Sequence, residues 1–241
     1  MIQTFAANQR YHTNHGWLDS YFSFSFADYY DPNNLQFGPM RVLNDDRIDG
    51  GTGFGMHPHR EMEIVSLVLS GQLEHRDNMG NQAVTTWGGI QRMSAGTGVH
   101  HSEKNPSPSE PVELLQMWFL PAERGIAPSY ETSSFDPNEL SGKLVPIVSG
   151  NAELQQPGRV AKIHQDMTMY LTELSGGQSV TFEQQPGRKQ FVFVLAGSVS
   201  LEGGSEQAEL HRRDSARIEG ITSLKLTSSD TAAQVLLIDL P

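Results

Sequence analysis

The sequence predicts an all-β protein in which two β-sandwich or barrel domains follow one another. Three observations carry this: short apolar or alternating runs set apart by glycine, a scarcity of helical periodicity, and an internal repeat. The runs are residues 62–69, 83–87, 114–120, 170–174, 190–196, 198–201 and 233–240. Each has strand length, and strands so short and so closely spaced close into a sandwich or barrel. Asn78-Met79-Gly80-Asn81 and Glu202-Gly203-Gly204-Ser205 lie between such runs and read as hairpin turns.

The repeat sets Val65-Ser66-Leu67-Val68-Leu69-Ser70-Gly71 against Phe191-Val192-Phe193-Val194-Leu195-Ala196-Gly197, an offset of 126. Further on, Gly89-Ile90-Gln91-Arg92-Met93 matches Asp214-Ser215-Ala216-Arg217-Ile218 at an offset of 125. Two domains follow, residues 1–130 and 131–241, with the break in 121–135, where Pro121, Gly125 and Pro128 interrupt the strand pattern. Residues 136–140 read as a short helical turn capped by Asp136, with Pro137 at its first position.

Seventeen Lys and Arg against 28 Asp and Glu give a net charge of −11. Direct nucleic-acid binding and attachment to anionic membranes both need a basic footprint and are not expected. The chain has no cysteine, which excludes disulfides, thiolate catalysis and iron–sulfur clusters. No apolar run approaches the roughly 20 residues of a membrane helix. The opening MIQTFAANQRYH lacks a signal-peptide core, so the expected location is the cytoplasm. Any metal must be held by histidine and carboxylate.

Seven of the nine histidines precede residue 102: His12, His15, His57, His59, His75, His100 and His101; only His164 and His211 follow. In Gly55-Met56-His57-Pro58-His59 and Gly98-Val99-His100-His101-Ser102-Glu103, the pairs His57/His59 and His101/Glu103 stand two residues apart. On strands each pair faces one side, while His100 points away. Together they make a three-histidine, one-carboxylate site suited to divalent iron, nickel, copper, manganese or zinc, with positions left open on the ion. Carried along the repeat, His57 falls on Glu183, His59 on Gln185, His101 on Leu226 and Glu103 on Ser228. The second copy therefore lacks the ligands.

Gly51-x5-His57-x-His59-x3-Glu63 resembles the first cupin motif, and Gly88-x5-Ser94-Ala95-Gly96 with His101-x3-Asn105 resembles the second, with serine for its usual proline. Five stretches look like signatures of the pirin family of two-domain cupins, or bicupins: 17–32 (WLDSYFSFSFADYYDP), 51–63 (GTGFGMHPHREME), 74–80 (EHRDNMG), 91–103 (QRMSAGTGVHHSE) and 128–131 (PSYE). The resemblance is dense over 17–131 and rests on architecture over 135–241. It implies a cupin in each half, with one divalent metal, iron first, in the N-terminal half only. Its ligand pattern falls on His57, His59, His101 and Glu103. Other cupins use the first-motif glutamate, here Glu63, which stays a nearby carboxylate. One departure is Tyr21-Phe22-Ser23, where relatives often carry Arg-His-Thr.

Bacterial members resemble quercetin 2,3-dioxygenases, which open the central flavonol ring with dioxygen and release carbon monoxide. Glu103 is the candidate to accept the flavonol 3-hydroxyl proton as well as to bind metal. The implied partners are a small aromatic or enolic substrate and dioxygen. Phe54, Met56, Met93, Met117 and Phe119 are candidate walls for a flat substrate; Trp17, Phe24, Phe26, Tyr29 and Tyr30 are read mainly as packing, also between the domains. The alternative is a non-enzymatic pirin-like regulator whose metal state governs binding of a protein partner; a third is an isomerase or hydrolase on the same metal site.

Overall fold

The structure, a computed structural model, describes residues 1–229 and 231–241. Its regular elements are strands and two short 3₁₀ turns. The strands begin with β1 (Ile2–Phe5), β2 (Tyr11–Asn14), β3 (Leu18–Phe22), β4 (Met40–Ile48), β5 (Gly53–His59) and β6 (Glu63–Ser70). They continue with β7 (Leu73–Asp77), β8 (Gln82–Thr85), β9 (Gly89–Ser94), β10 (Val99–Lys104), β11 (Val112–Phe119) and β12 (Ser129–Ser134). The later strands are β13 (Val145–Ser149), β14 (Ala161–Lys162), β15 (Thr168–Leu174), β16 (Ser179–Glu183) and β17 (Lys189–Ala196). The last are β18 (Ser198–Gly203), β19 (Glu206–His211), β20 (Ser215–Glu219), β21 (Ser223–Ser228) and β22 (Ala233–Leu240). Both expected hairpin turns fall between strands, β7–β8 and β18–β19. Pro137–Leu140 forms a 3₁₀ turn whose Asn138 backbone N–H donates to the Asp136 side chain at 2.9 Å.

The chain separates into two compact units, Tyr11–Phe135 with Gln155–Gln165, and Met1–Arg10 with Asp136–Leu154 and Asp166–Pro241. The expected split at residues 130 and 131 is thus crossed twice. The N-terminal crossing has a plain cause: β1 completes the second unit by pairing antiparallel with β20, Ile2 opposite Ile218. In the first unit the matching edge is β12, which pairs with β9.

Each unit is a pair of antiparallel sheets, and the two units share one topology. The first has the orders β12-β9-β6-β11-β4-β3-β2 and β5-β10-β7-β8; the second has β1-β20-β17-β22-β15-β13 and β16-β21-β18-β19. The repeat read from sequence is therefore structural. Leu67 pairs with Ile90 as Phe193 pairs with Ser215, which reproduces both offsets for these strands. Gly71 and Gly197 take φ of +76° and +72°. A Cβ at Gly71 would sit 2.9 Å from Val112 Cα, and one at Gly197 2.9 Å from Ala233 Cα. Glycine is needed at both hairpins for the same reason.

Register corrects the second-copy positions. Glu103 pairs with His75, and Leu226 with Leu201; His57 pairs with His101, and Phe182 with Leu224. His57, His59, His101 and Glu103 therefore correspond to Phe182, Gln184, Leu224 and Leu226, not to Glu183, Gln185, Leu226 and Ser228. The link from β20 to β21 is shorter than that from β9 to β10, and β10 carries an irregularity between His101 and Glu103 against β5. A constant offset misses both. Phe182, Leu201, Leu224 and Leu226 belong to the buried core of the second barrel. Burying a leucine side chain contributes about 2 kcal/mol, so that barrel has an apolar reason to close.

In the first barrel the inward positions are layered. Leu18, Ile48, Val68, Leu73, Val112 and Leu114 form an apolar floor. Two residues along the same strands, Ser20, Asp46, Ser66, His75 and Gln116 are also buried. A period of two keeps them on the same inward face, so a polar layer rests directly on the apolar one.

Candidate metal centre

β5 and β10 run antiparallel with His57 opposite His101 and His59 opposite Val99. His57, His59 and His101 converge, with ring centroids 4.5 to 4.8 Å apart. One ligand atom from each lies within 4.8 Å of the others. His100 is exposed, as alternation requires.

Two hydrogen-bond relationships aim these rings. The His57 Nδ1–H donates to the Gly55 carbonyl at 2.7 Å, leaving Nε2 with its lone pair. Asp77 accepts from His75 Nε2–H at 3.1 Å, which leaves His75 Nδ1 as the acceptor for His101 Nδ1–H at 3.3 Å. That fixes the His101 lone pair on Nε2, an atom buried without a hydrogen-bond partner among the described residues. Burial, then neighbouring His57, lowers the His59 pKa to about 4. Burial, then His57, His59 and His75, lowers that of His101 to about 2. Both rings are neutral donors near pH 7, as metal coordination requires.

Glu103 is 3% exposed. Ser66 Oγ donates to its Oε1 at 3.1 Å, Gln116 Nε2 donates to its Oε2, and Trp118 Nε1 donates to Gln116 Oε1 at 3.2 Å. Burial raises its pKa, against the opposing pull of His75, Gln116 and Ser66. Its carboxylate groups with His75 and His101 within 4.8 Å, so two triads share His101. The four expected ligands thus lie in one place without forming a single group at that spacing. The buried lone pair on His101 Nε2 and a donor set of imidazoles plus one carboxylate fit a divalent transition metal. Glu63 belongs to neither triad: it accepts from Ser94 Oγ at 2.8 Å and from the His164 backbone N–H at 3.0 Å, and so ties strands together.

A cavity of about 450 Å³ opens over His57, His59 and Glu103. Its walls are Trp17, Phe22, Phe26, Phe54 and Trp118. Of the expected wall residues only Phe54 is among them. Met117 and Phe119 are fully buried on the other face of β11, because Gln116 and Trp118 take its inward positions. Met93 packs with Ile64, Ala95 and Val99, and Met56 is 58% exposed. Trp17 and Phe26, read from sequence as packing, line the cavity instead. Phe22, at the departure from the family pattern, adds apolar wall.

The pirin family model matches residues 4–119, and the model of the quercetinase C-terminal cupin domain matches residues 147–240. Quercetin 2,3-dioxygenase of Escherichia coli is 42% identical over 241 residues, covering 100% of this chain and 99% of that protein. The chain belongs to the pirin family. A pirin-like protein of Caulobacter vibrioides is 37% identical over 224 residues, 93% of each chain. The crystal structure of the Escherichia coli pirin YhhW in complex with nickel(II) superposes with a TM-score of 0.91 at 40% identity, covering 100% of this chain and 99% of that one.

Sequence reasoning about this pirin passed over His75, although its spacing in Glu74-His75-Arg76-Asp77 sets a histidine and a carboxylate on one face. It also passed over Asn44 and Asp46, which line the cavity. Burial raises the Asp46 pKa to about 7, against a hydrogen bond from Ser20.

Proposed function

We propose that this pirin is a metal-dependent dioxygenase of the quercetinase type, opening the flavonol ring with dioxygen and releasing carbon monoxide. The observation that supports it is the seating of convergent imidazoles and a buried carboxylate at an aromatic-walled cavity. Likeness over the full length to a protein named quercetin 2,3-dioxygenase supports the same reading.

His57, His59, His101 and Glu103 would hold one divalent metal, iron first and nickel next, given the nickel of the Escherichia coli pirin. That metal would supply Lewis acidity toward a hydroxyl oxygen and redox contact with dioxygen. Glu103 would accept the proton of the flavonol 3-hydroxyl, and burial favours the protonated product. Ser66 and Gln116 orient its two oxygens. Trp17, Phe26, Phe54 and Trp118 hold a flat ring system and keep water from it. The chemistry is assigned to the first domain, the second giving support.

The test is turnover of a flavonol panel under dioxygen, with ring opening and carbon monoxide measured against metal content. Carbon monoxide released in step with flavonol consumed is expected. Its absence with iron, nickel, copper and manganese in turn would overturn the proposal and favour the regulator.

A further inference from the structure

We infer that the cavity wall formed by Ser20, Asn44 and Asp46 is a recognition subsite for hydroxyl groups on the substrate rings, so that the enzyme selects a hydroxylated flavonol over a bare one. This rests on the dioxygenase reading above.

The three side chains come from adjacent strands of one sheet: Ser20 pairs with Asp46, Phe22 with Asn44, and Asn44 with Gln116. All three line the same cavity as His57, His59 and Glu103. Asp46 is 4% exposed, and Ser20 Oγ donates to its Oδ1. Asn44 is also 4% exposed, and its Oδ1 is buried with no hydrogen-bond partner among the described residues. Its neighbour Gln116 is engaged by Glu103 and Trp118, and its other neighbour along the strand, Asp46, by Ser20. Asn44 is thus the unfilled place in an otherwise bonded row.

Buried polar groups without partners are costly and are few in folded proteins. Packing does not call for an amide at position 44, since the floor of this barrel is formed by the apolar Leu18, Ile48, Val68, Leu73, Val112 and Leu114. An amide beside a carboxylate offers a donor and several acceptors, which complements a hydroxyl, itself donor and acceptor. An anionic group would instead meet Asp46 and Glu103. The aromatic walls hold ring faces, and this row meets ring edges, where hydroxyls lie.

The experiment compares quercetin, which carries neighbouring ring hydroxyls, with 3-hydroxyflavone, which has none beyond the reacting one. The kcat/KM ratio is measured for wild type, Asp46→Asn and Asn44→Leu, each in holoenzyme form. Quenching of Trp17 and Trp118 fluorescence reads binding without turnover. Wild type is expected to favour quercetin about tenfold or more, and the ratio to fall toward one in both variants. Asp46→Asn keeps shape and carries the test alone should Asn44→Leu misfold. Turnover with the wild-type ratio retained in the variants overturns the subsite and leaves the dioxygenase reading standing. No turnover, with quercetin-selective quenching lost in the variants, overturns the dioxygenase reading and supports the subsite.

Discussion

His75 and His101 meet Nδ1 to Nδ1 at 3.3 Å, and the direction of that hydrogen bond is set one residue further back, by Asp77. The Asp77 carboxyl is buried, which alone would raise its pKa, but hydrogen bonds from Asn81 and His75 hold it below the usual range. It therefore stays an acceptor for His75 Nε2–H, and His101 keeps its lone pair on the buried Nε2. Tyr130 stacks on His75 at 4.1 Å and holds the ring plane.

His75→Phe keeps the stack and removes the acceptor. Metal affinity is expected to fall about 10- to 100-fold, measured by chelator competition at pH 7. An unchanged affinity would mean that His101 is oriented by packing alone.

The two buried glutamates should separate by readout. Glu103→Gln is expected to weaken metal binding and lower turnover by about 10²- to 10⁴-fold. Glu63→Gln should leave metal content alone and lower the unfolding free energy by about 1–3 kcal/mol, since it loosens the ties to Ser94 and His164. Elemental analysis and urea unfolding on both variants decide it; the reverse pattern would move the carboxylate ligand to Glu63.

Asp46 gives the metal-free protein a pH dependence with a definite sign. Its folded pKa is raised from 3.8 to about 7. Between those values the folded chain keeps a proton that the unfolded chain releases. Its stabilising contribution is complete below 3.8, is lost as pH rises to about 7, and is flat above that. The slope is up to about 1.4 kcal/mol per pH unit. Asp46→Asn should remove that component and be the more stable protein at pH 8. Urea midpoints across pH 5 to about 8 would show parallel curves if the carboxyl were ionised throughout.

Leu226 occupies in the second barrel the place of Glu103 in the first. Leu226→Ala should cost about 2–5 kcal/mol of stability and leave one metal per chain. A second metal, lost on mutating His164 or His211, would contradict the supporting role proposed for this domain.

Much of this was legible in the chain because it is local. The H-x-H and H-x-E spacings fix which side chains share a face, and Gly71 and Gly197 mark equivalent hairpins by what their backbones must do. The cavity walls were not legible, because alternation along β11 says that Met117 and Trp118 point oppositely without saying which points inward. Connection length defeated the ligand correspondence between the halves. Asp46 was missed for a related reason: a polar residue on a strand reads as a solvent-facing one, and only the pairing with Ser20 and Leu114 places it indoors.

The pairing of β1 with β20 reaches past the whole Tyr11–Phe135 segment of the first unit along the chain. During synthesis β1 is made long before its partner, so the first barrel can complete its sheets while this strand waits unpaired. An extension or trimming at residues 1–10 therefore acts at a distance: it bares the β20 edge of the histidine-poor barrel and leaves every proposed metal ligand in place. Loss of solubility, with metal content preserved in the fraction that stays folded, is the signature of damage at that seam.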